Sequence, residues 1–317
     1  MKTKLVYILV SSGADVYTEQ AWVSAHSVRL RNPSAQIILL ADSQTSVPEP
    51  MAALFNDIVR VEFPADMPLM KRSRMLKTGI REYVEGDFLF IDADTVVARP
   101  LDDIDLVTAP LAACRDLHSP FPEHPHFGAT VNMCRKLGYD ASTRKEYFNS
   151  GVMLVKDTPE NHAFFKAWQK NYLAGYEAGI RPDQPSLAQT DAQERMALLP
   201  DEWNCEVQNG VRYLKDAYIV HYMVTNVGTG PQDSLFLLNN KDVLLRMREQ
   251  GGITEEIKAV IDDPFKGYAP VVQVFAGEDL YLFRTRRYRW LRKNYKRGKT
   301  SVLEWLLKVK DHLKWQK

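Results

Sequence analysis

Through the first hundred residues, short β-rich runs alternate with helical patterns, and this rhythm leaves few folds open. "KLVYILVS" reads as a strand; Ala21, Trp22, Ala25 and Val28 then recur at helical spacing, and the helix is expected to stop near Asn32-Pro33. "AQIILLAD", "DIVRVEF" and "GDFLFIDAD" read as the second, third and fourth strands, with "MKRSRMLKTGIREYV" as one basic helix between the last two. Strands alternating with helices pack as βαβ units, so the pattern predicts an α/β fold built on a doubly wound, mostly parallel sheet. Ligands of such sheets sit at the carboxyl ends of the strands. The fourth run ends in two aspartates, Asp92 and Asp94, separated by Ala93.

Side chains alternate faces along a strand, so the two carboxylates are expected to project the same way. They repel each other unless a cation lies beside them. Hard oxygen ligands suit Mg²⁺ or Mn²⁺, and these ions in turn suit a diphosphate. A strand-end turn also favours aspartate, and the triplet alone does not separate the two readings.

The middle of the chain changes character. "DLHSPFPEHPHFGA", with His118, His124 and His126, reads as an irregular loop or lid over 116–128. "YFNSGVMLVK" is a further strand, "TPENHAFFKAWQKNY" a helix with Pro159 in its first turn, "RPDQPSLAQ" a helix start and "YIVHY" a late strand. Cys114, Cys134 and Cys205 show neither zinc spacing nor a disulfide framework and are expected to be buried free thiols. No run approaches the length needed to cross a membrane, and the apolar run after Lys4 is too brief for a secretory core.

Taken in order, "KRSRML", "FLFIDADTVV", "YFNSGVMLV", "RPDQPSLA", "LLPDEWN" and "YIVHY" resemble the motifs of family 8 glycosyltransferases. These are retaining, UDP-sugar-dependent enzymes of GT-A fold that include glycogenins and bacterial lipopolysaccharide galactosyl- and glucosyltransferases. The resemblance spans roughly residues 4–225 and implies a metal held by Asp92, Asp94 and His221, with Mn²⁺ or Mg²⁺ as the ion. It implies that Asn149 and Asp183 contact the donor sugar and that Gln184 lies near its reacting face. Ser150 and Gly151 would line the donor with close backbone approach, and Arg74 and Ala93 would contact the donor near the two aspartates. Lys71, Arg72 and Lys77 either share in neutralising the diphosphate or solvate a helix face.

Two places depart from the family. Tyr17 stands where an aromatic stacks on uracil, but "VSSGAD" has no clear acidic contact to the base, leaving Val10 and Ser11 to offer backbone contacts. After His221 the family's lysine-bearing segment is replaced by "HYMVTNVGTGPQ", and the next lysine is Lys241. Either Gly228 and Gly230 present backbone N–H groups to the phosphates, or a cation from another segment substitutes.

Charge is spread unevenly. From Arg284 to Lys317, thirteen Lys/Arg face two acidic residues, a net of +11 that leaves the preceding chain at −10 within a total of +1. The boundary is expected near residue 230, with a GT-A catalytic domain over 1–230 and a helical C-terminal region over 231–317. In the tail 284–317, a capping-box pattern at Ser301 and Glu304 opens an apolar stripe of Val302, Trp305, Leu306, Val309 and Leu313. This composition fits an interfacial helix on an anionic membrane, with packing on the catalytic domain as the alternative; no nucleic acid partner is expected.

The function expected is metal-dependent, retaining hexosyl transfer from a nucleotide sugar, UDP-Gal or UDP-Glc, to a saccharide or lipid-linked acceptor. The setting would be surface-polysaccharide or lipopolysaccharide assembly, in the cytoplasm and peripherally on the inner face of the plasma membrane. A sugar-phosphate nucleotidyltransferase would need a Gly-rich, Arg-containing loop after the first strand, which "VSSGADVYTEQ" matches poorly. A non-catalytic glycan- or membrane-binding relative is the third reading.

Overall fold

The computed structural model describes residues 1–207, 210–222, 238, 240–264 and 285–296. The chain divides into two compact units, Met1–Ala269 and Pro270–Lys317. The boundary expected near residue 230 and the glycines Gly228 and Gly230 lie outside the described residues, as does the stripe from Val302 onward.

Seven strands make the main sheet: β1 (Lys4–Leu9), β2 (Ile37–Asp42), β3 (Asp57–Val61), β4 (Phe88–Ile91), β6 (Leu111–Arg115), β7 (Phe148–Val155) and β8 (Ala197–Leu198). Their order is β3-β2-β1-β4-β7-β6-β8. The first four pair in parallel, β7 runs antiparallel to both neighbours, and β8 is parallel to β6. Six of the seven therefore point one way, as the strand–helix alternation predicts.

The central strands are apolar along their whole length because the sheet is covered on both faces. Period-two alternation divides them: Leu5, Tyr7 and Leu9 pack with Leu89, Ile91, Val152 and Leu154 in one core. Val6, Ile8 and Val10 pack with Phe88, Phe90, Met153 and Val155 in the other. The first core is closed by α1 (Tyr17–Arg31), through Ala21, Trp22, Ala25 and Val28. The second is closed by α3 (Leu69–Thr78) and α5 (Pro159–Glu177), through Leu76, Phe165 and Trp168. Each fully buried Val, Leu, Ile, Met or Phe side chain among them contributes about 1.5–3 kcal/mol relative to exposure.

Helix ends follow local chemistry. The α1 helix stops where expected, with Asn32 accepting from the Leu101 N–H and donating to Asp102. The Thr158 hydroxyl caps α5 by accepting from the Asn161 N–H, and Pro159 takes the first position, where no N–H is needed. The single basic helix expected across "MKRSRMLKTGIREYV" is instead two pieces, α3 and a 3-10 turn at Ile80–Glu82. The break falls at Gly79, where an added Cβ would meet the Gln169 side chain at 2.3 Å and the Met75 carbonyl at 3.0 Å.

A second sheet has the order β5-β10-β9, from β5 (Thr95–Val97), β9 (Cys205–Glu206) and β10 (Ile219–His221). The chain leaves the main sheet at Ile91, turns through Asp92, Ala93 and Asp94, and enters the small sheet at Thr95. Antiparallel pairing sets His221 opposite Thr95. That register carries a histidine from far along the chain to the turn that bears both aspartates.

Candidate active site

Asp92 and Asp94 occupy a turn between two strands rather than one strand, so the face alternation expected of them is not what aligns them. The turn is fixed by its own hydrogen bonds. The Asp92 N–H donates to the Gly151 carbonyl at 2.7 Å, Thr95 Oγ1 to the Asp92 carbonyl at 2.9 Å, and the Tyr222 N–H to the Asp94 carbonyl at 2.9 Å. Asp92, Asp94 and His221 each offer a ligand atom, and these atoms all lie within 4.8 Å of one another. His221 Nε2 stands 3.1 Å from Asp94 Oδ1, while its Nδ1 is 2.8 Å from Asn204 Oδ1. Burial pushes the His221 pKa down and the Asp94 carboxylate pulls it up, with a net rise. Two carboxylate oxygens and one imidazole nitrogen make a donor set that fits Mn²⁺ or Mg²⁺.

Gly151 explains why β7 approaches this turn so closely. A Cβ there would lie 2.5 Å from His221, 2.8 Å from Asn149 and 2.9 Å from Asp92. Any side chain at 151 would displace the groups that form the site.

The cations of α3 separate into three kinds. Arg72 is buried against Asp42 and supports the core, and Lys71 pairs with Glu177 on the surface at 3.1 Å. Lys77 is 4% exposed and points inward, its Nζ 3.0 and 3.1 Å from the two Asp92 oxygens and 3.9 Å from Asp183. Arg74 Nε lies 3.1 Å from Asp183 Oδ1, and Ser150 Oγ donates to Asp183 Oδ2 at 2.8 Å. Burial would raise the Asp183 pKa, but Arg74, Lys77 and the Ser150 hydroxyl hold it below the usual carboxylate value. The same pairing with Asp183 holds the Arg74 guanidinium above its ordinary value. Asp183 is therefore an ionised carboxylate whose charge is already matched.

Arg74 and Lys77 border a cleft of about 500 Å³ that is also lined by Val10, Ser12, Asp15, Tyr17, Asp92, Ala93 and Asp94. Val10, Tyr17 and Ala93 thus line it. Ser11 is turned inward, its N–H donating to Thr45 Oγ1. Asp15 was not singled out from the sequence. Its carboxylate accepts from Ser11 and Ser12 and from the Tyr17 N–H, bracing the loop that forms the cleft wall.

Asp116 was also missed. It follows β6 and gathers three side chains: its Oδ1 accepts from Asn149 Nδ2 at 2.9 Å and Gln184 Nε2 at 2.8 Å, and its Oδ2 pairs with His124 Nε2 at 2.9 Å. A carboxylate just past a strand's carboxyl end was the available signal. His118 and His124, read as loop or lid residues, are instead buried: His124 on Asp116, His118 beside Asp201 at 3.2 Å and accepting from the Glu206 N–H. Leu117 and His118 both hold positive φ, near 53° and 52°, so this connection is a fitted structural element. Cys114, Cys134 and Cys205 are buried free thiols, and burial pushes Cys205 up to about 12.

No family model matches the chain, and no curated protein matches it. Solved structures do. The galactosyltransferase LgtC, in complex with donor and acceptor sugar analogues, is 18% identical over 81% of this chain and 99% of its own, with a TM-score of 0.51. A structure of LgtC carrying an active-site Gln-to-Glu change is 16% identical, with 81% and 99% covered and a TM-score of 0.52. The glycosyltransferase GlyE of Streptococcus pneumoniae is 17% identical over 86% of this chain and 67% of its own, at 0.50. The apo structure of WbbM, a bifunctional glycosyltransferase, is 16% identical at 0.49 over 70% of this chain, which spans 45% of that longer one. The fold is α/β of GT-A type, the fold of LgtC.

Proposed function

We propose that the chain is a metal-dependent, retaining glycosyltransferase that moves a hexose from a UDP-sugar, UDP-Gal or UDP-Glc, to a saccharide or lipid-linked acceptor in surface-glycan assembly. One observation carries this reading: Asp92, Asp94 and His221 bring ligand atoms within 4.8 Å of one another, and the two aspartates line a cleft that also presents Arg74 and Lys77. A nucleoside diphosphate needs such a combination, hard ligands for a divalent ion and fixed cations beside it. The donor and acceptor analogues bound to LgtC support it, given the shared fold.

Asp92, Asp94 and His221 would hold Mn²⁺ or Mg²⁺, and when bound the ion supplies positive charge against the departing diphosphate. Lys77 and Arg74 take the role of the missing late lysine, bringing two cations to the same cleft. Asp183, kept ionised by Arg74, accepts hydrogen bonds from sugar hydroxyls beside Asn149 and Ser150. Both amide hydrogens of Gln184 are engaged, by Asp116 and by the Phe148 carbonyl at 3.2 Å. Its carbonyl oxygen is then the end offered to the sugar. In the transfer the bond from the anomeric carbon to the diphosphate oxygen breaks, and one to the acceptor oxygen forms on the same face. The acceptor proton goes to the departing phosphate oxygen. Asp183 is held by Arg74 and Ser150, which favours this route over a covalent intermediate on its carboxylate.

Basic residues 284–317 are proposed to bring the enzyme to an anionic membrane surface, where a lipid-linked acceptor resides.

The test is a panel of nucleotide sugars assayed for hydrolysis and transfer with and without Mn²⁺. Asp94→Asn is expected to lower metal-dependent kcat by about 10²–10³-fold, and product NMR is expected to show a retained anomeric configuration. Inverted product would remove the retaining assignment, and metal-independent turnover would remove the role given to the triad.

A further inference from the structure

Asn204 closes the motif "LLPDEWN", is fully buried, and bonds His221 of the metal triad. The donors and acceptors around it can be oriented one by one. The Gly151 backbone N–H can only donate, and it donates to Asn149 Oδ1 at 2.8 Å. Asn149 Nδ2 therefore points the other way, to the Asp116 carboxylate, which can only accept. Asn204 faces that same Asn149 oxygen at 3.0 Å, so it must present Nδ2 there. Its remaining oxygen is then the atom 2.8 Å from His221 Nδ1, and that nitrogen must carry a hydrogen. In the neutral ring, Nε2 is left with its lone pair directed at the site, toward Asp94 Oδ1 at 3.1 Å, an arrangement that a cation between the two atoms relieves. Two fixed anchors, a backbone N–H and a carboxylate, thus decide the tautomer of a side chain two amides away.

We propose that Asn204 is a positioning residue of the metal centre, holding neutral His221 in the Nδ1–H form so that Nε2 is the ligand atom. The same chain ends on Asp116, where it meets the Gln184 amide, so the metal ligand and the sugar-facing amide share one hydrogen-bonded support. A partner that fixes the other ring nitrogen of a metal-bound histidine typically changes metal affinity by about 10–100-fold. The inference rests on the metal reading of the site.

The measurement is imidazole ¹⁵N NMR on metal-free Asp94→Ala protein in alkaline buffer, where the carboxylate 3.1 Å from Nε2 no longer competes for the hydrogen, with the His221 signal assigned by its loss in His221→Gln. With Asn204 intact, this protein is expected to show Nδ1–H. Asn204→Ala is expected to abolish that preference in the same background and, with Asp94 present, to weaken Mn²⁺ binding measured by calorimetry about 10–100-fold. Asn204→Asp keeps an acceptor toward Nδ1 but loses the donor to Asn149, and is expected to restore the tautomer and part of the affinity, which loss of packing alone would not predict. An Nε2–H signal with Asn204 intact in the Asp94→Ala background, or an Asn204→Ala protein with unchanged tautomer and Mn²⁺ affinity, overturns the proposal. Wild type that binds no Mn²⁺ would instead remove the metal reading, and the tautomer measurement would still decide the role of Asn204.

Discussion

Lys77 shows how a residue's role depends on where its helix points it. In the sequence it is one of four cations within seven residues, and a solvated face accounts for them as well as a binding site does. In the structure it is 4% exposed and lies between Asp92 and Asp183, themselves 28% and 5% exposed. Removing a buried charge that two carboxylates share leaves them uncompensated, at a cost of about 3–5 kcal/mol. Lys77→Met is therefore expected to melt roughly 5–10 °C lower without metal. Mn²⁺ should raise its melting temperature by more than it raises that of wild type, because the ion then supplies the missing charge without competing with Nζ. Equal Mn²⁺ shifts in the two proteins would contradict this placement. Asp92, Asp94 and His221 were legible because their motifs come in a recognisable order. Asp116 and Asn204 were not, because each acts on another side chain, and such contacts leave no spacing in the sequence.

Strands were readable because burial on both faces of a sheet requires continuous apolar runs, and β1, β2 and β4 are such runs. Their junctions were less so: the aspartates fall between two sheets, and only the pairing of β10 with β5 reveals this. A comparable long-range contact is made by α7 (Lys241–Gln250), which lies beyond the motif-bearing part of the chain. From it, Arg248 grips Glu19 with two hydrogen bonds of 2.7 Å, donates to the Gly13 carbonyl at 2.7 Å and also bonds the Asp15 carbonyl. The helix thereby holds the loop that carries Asp15 and Tyr17 into the cleft. Arg248→Ala is expected to raise the KM for the nucleotide sugar roughly fivefold while leaving Mn²⁺ affinity near wild type. A fall in Mn²⁺ affinity as large as the rise in KM would show instead that the change reaches the triad. Nothing in the sequence pairs residues 248 and 19, since a contact across 229 positions is set by the tertiary fold alone.

At the scale of the whole molecule the dominant feature is charge, with +11 gathered from Arg284 onward against −10 before it. Within that segment the described helix α9 (Arg286–Lys296) carries six cations and no acid, and its Trp290 is 62% exposed. Among the described residues no helix is long and apolar enough to cross a membrane. Each Lys or Arg near an anionic bilayer contributes about 1 kcal/mol, and the attraction falls off within a Debye length. The chain of residues 1–317 is therefore expected to sediment with vesicles containing anionic lipid and to be released as ionic strength rises. With neutral vesicles it should stay in the supernatant. A chain ending before Arg284 should fail to sediment with either. If the shortened chain still binds anionic vesicles, the acidic-leaning remainder must hold the membrane site. If the full chain binds neutral vesicles equally well, the exposed Trp290 and its apolar neighbours would be the anchor, and the cations would serve solubility alone.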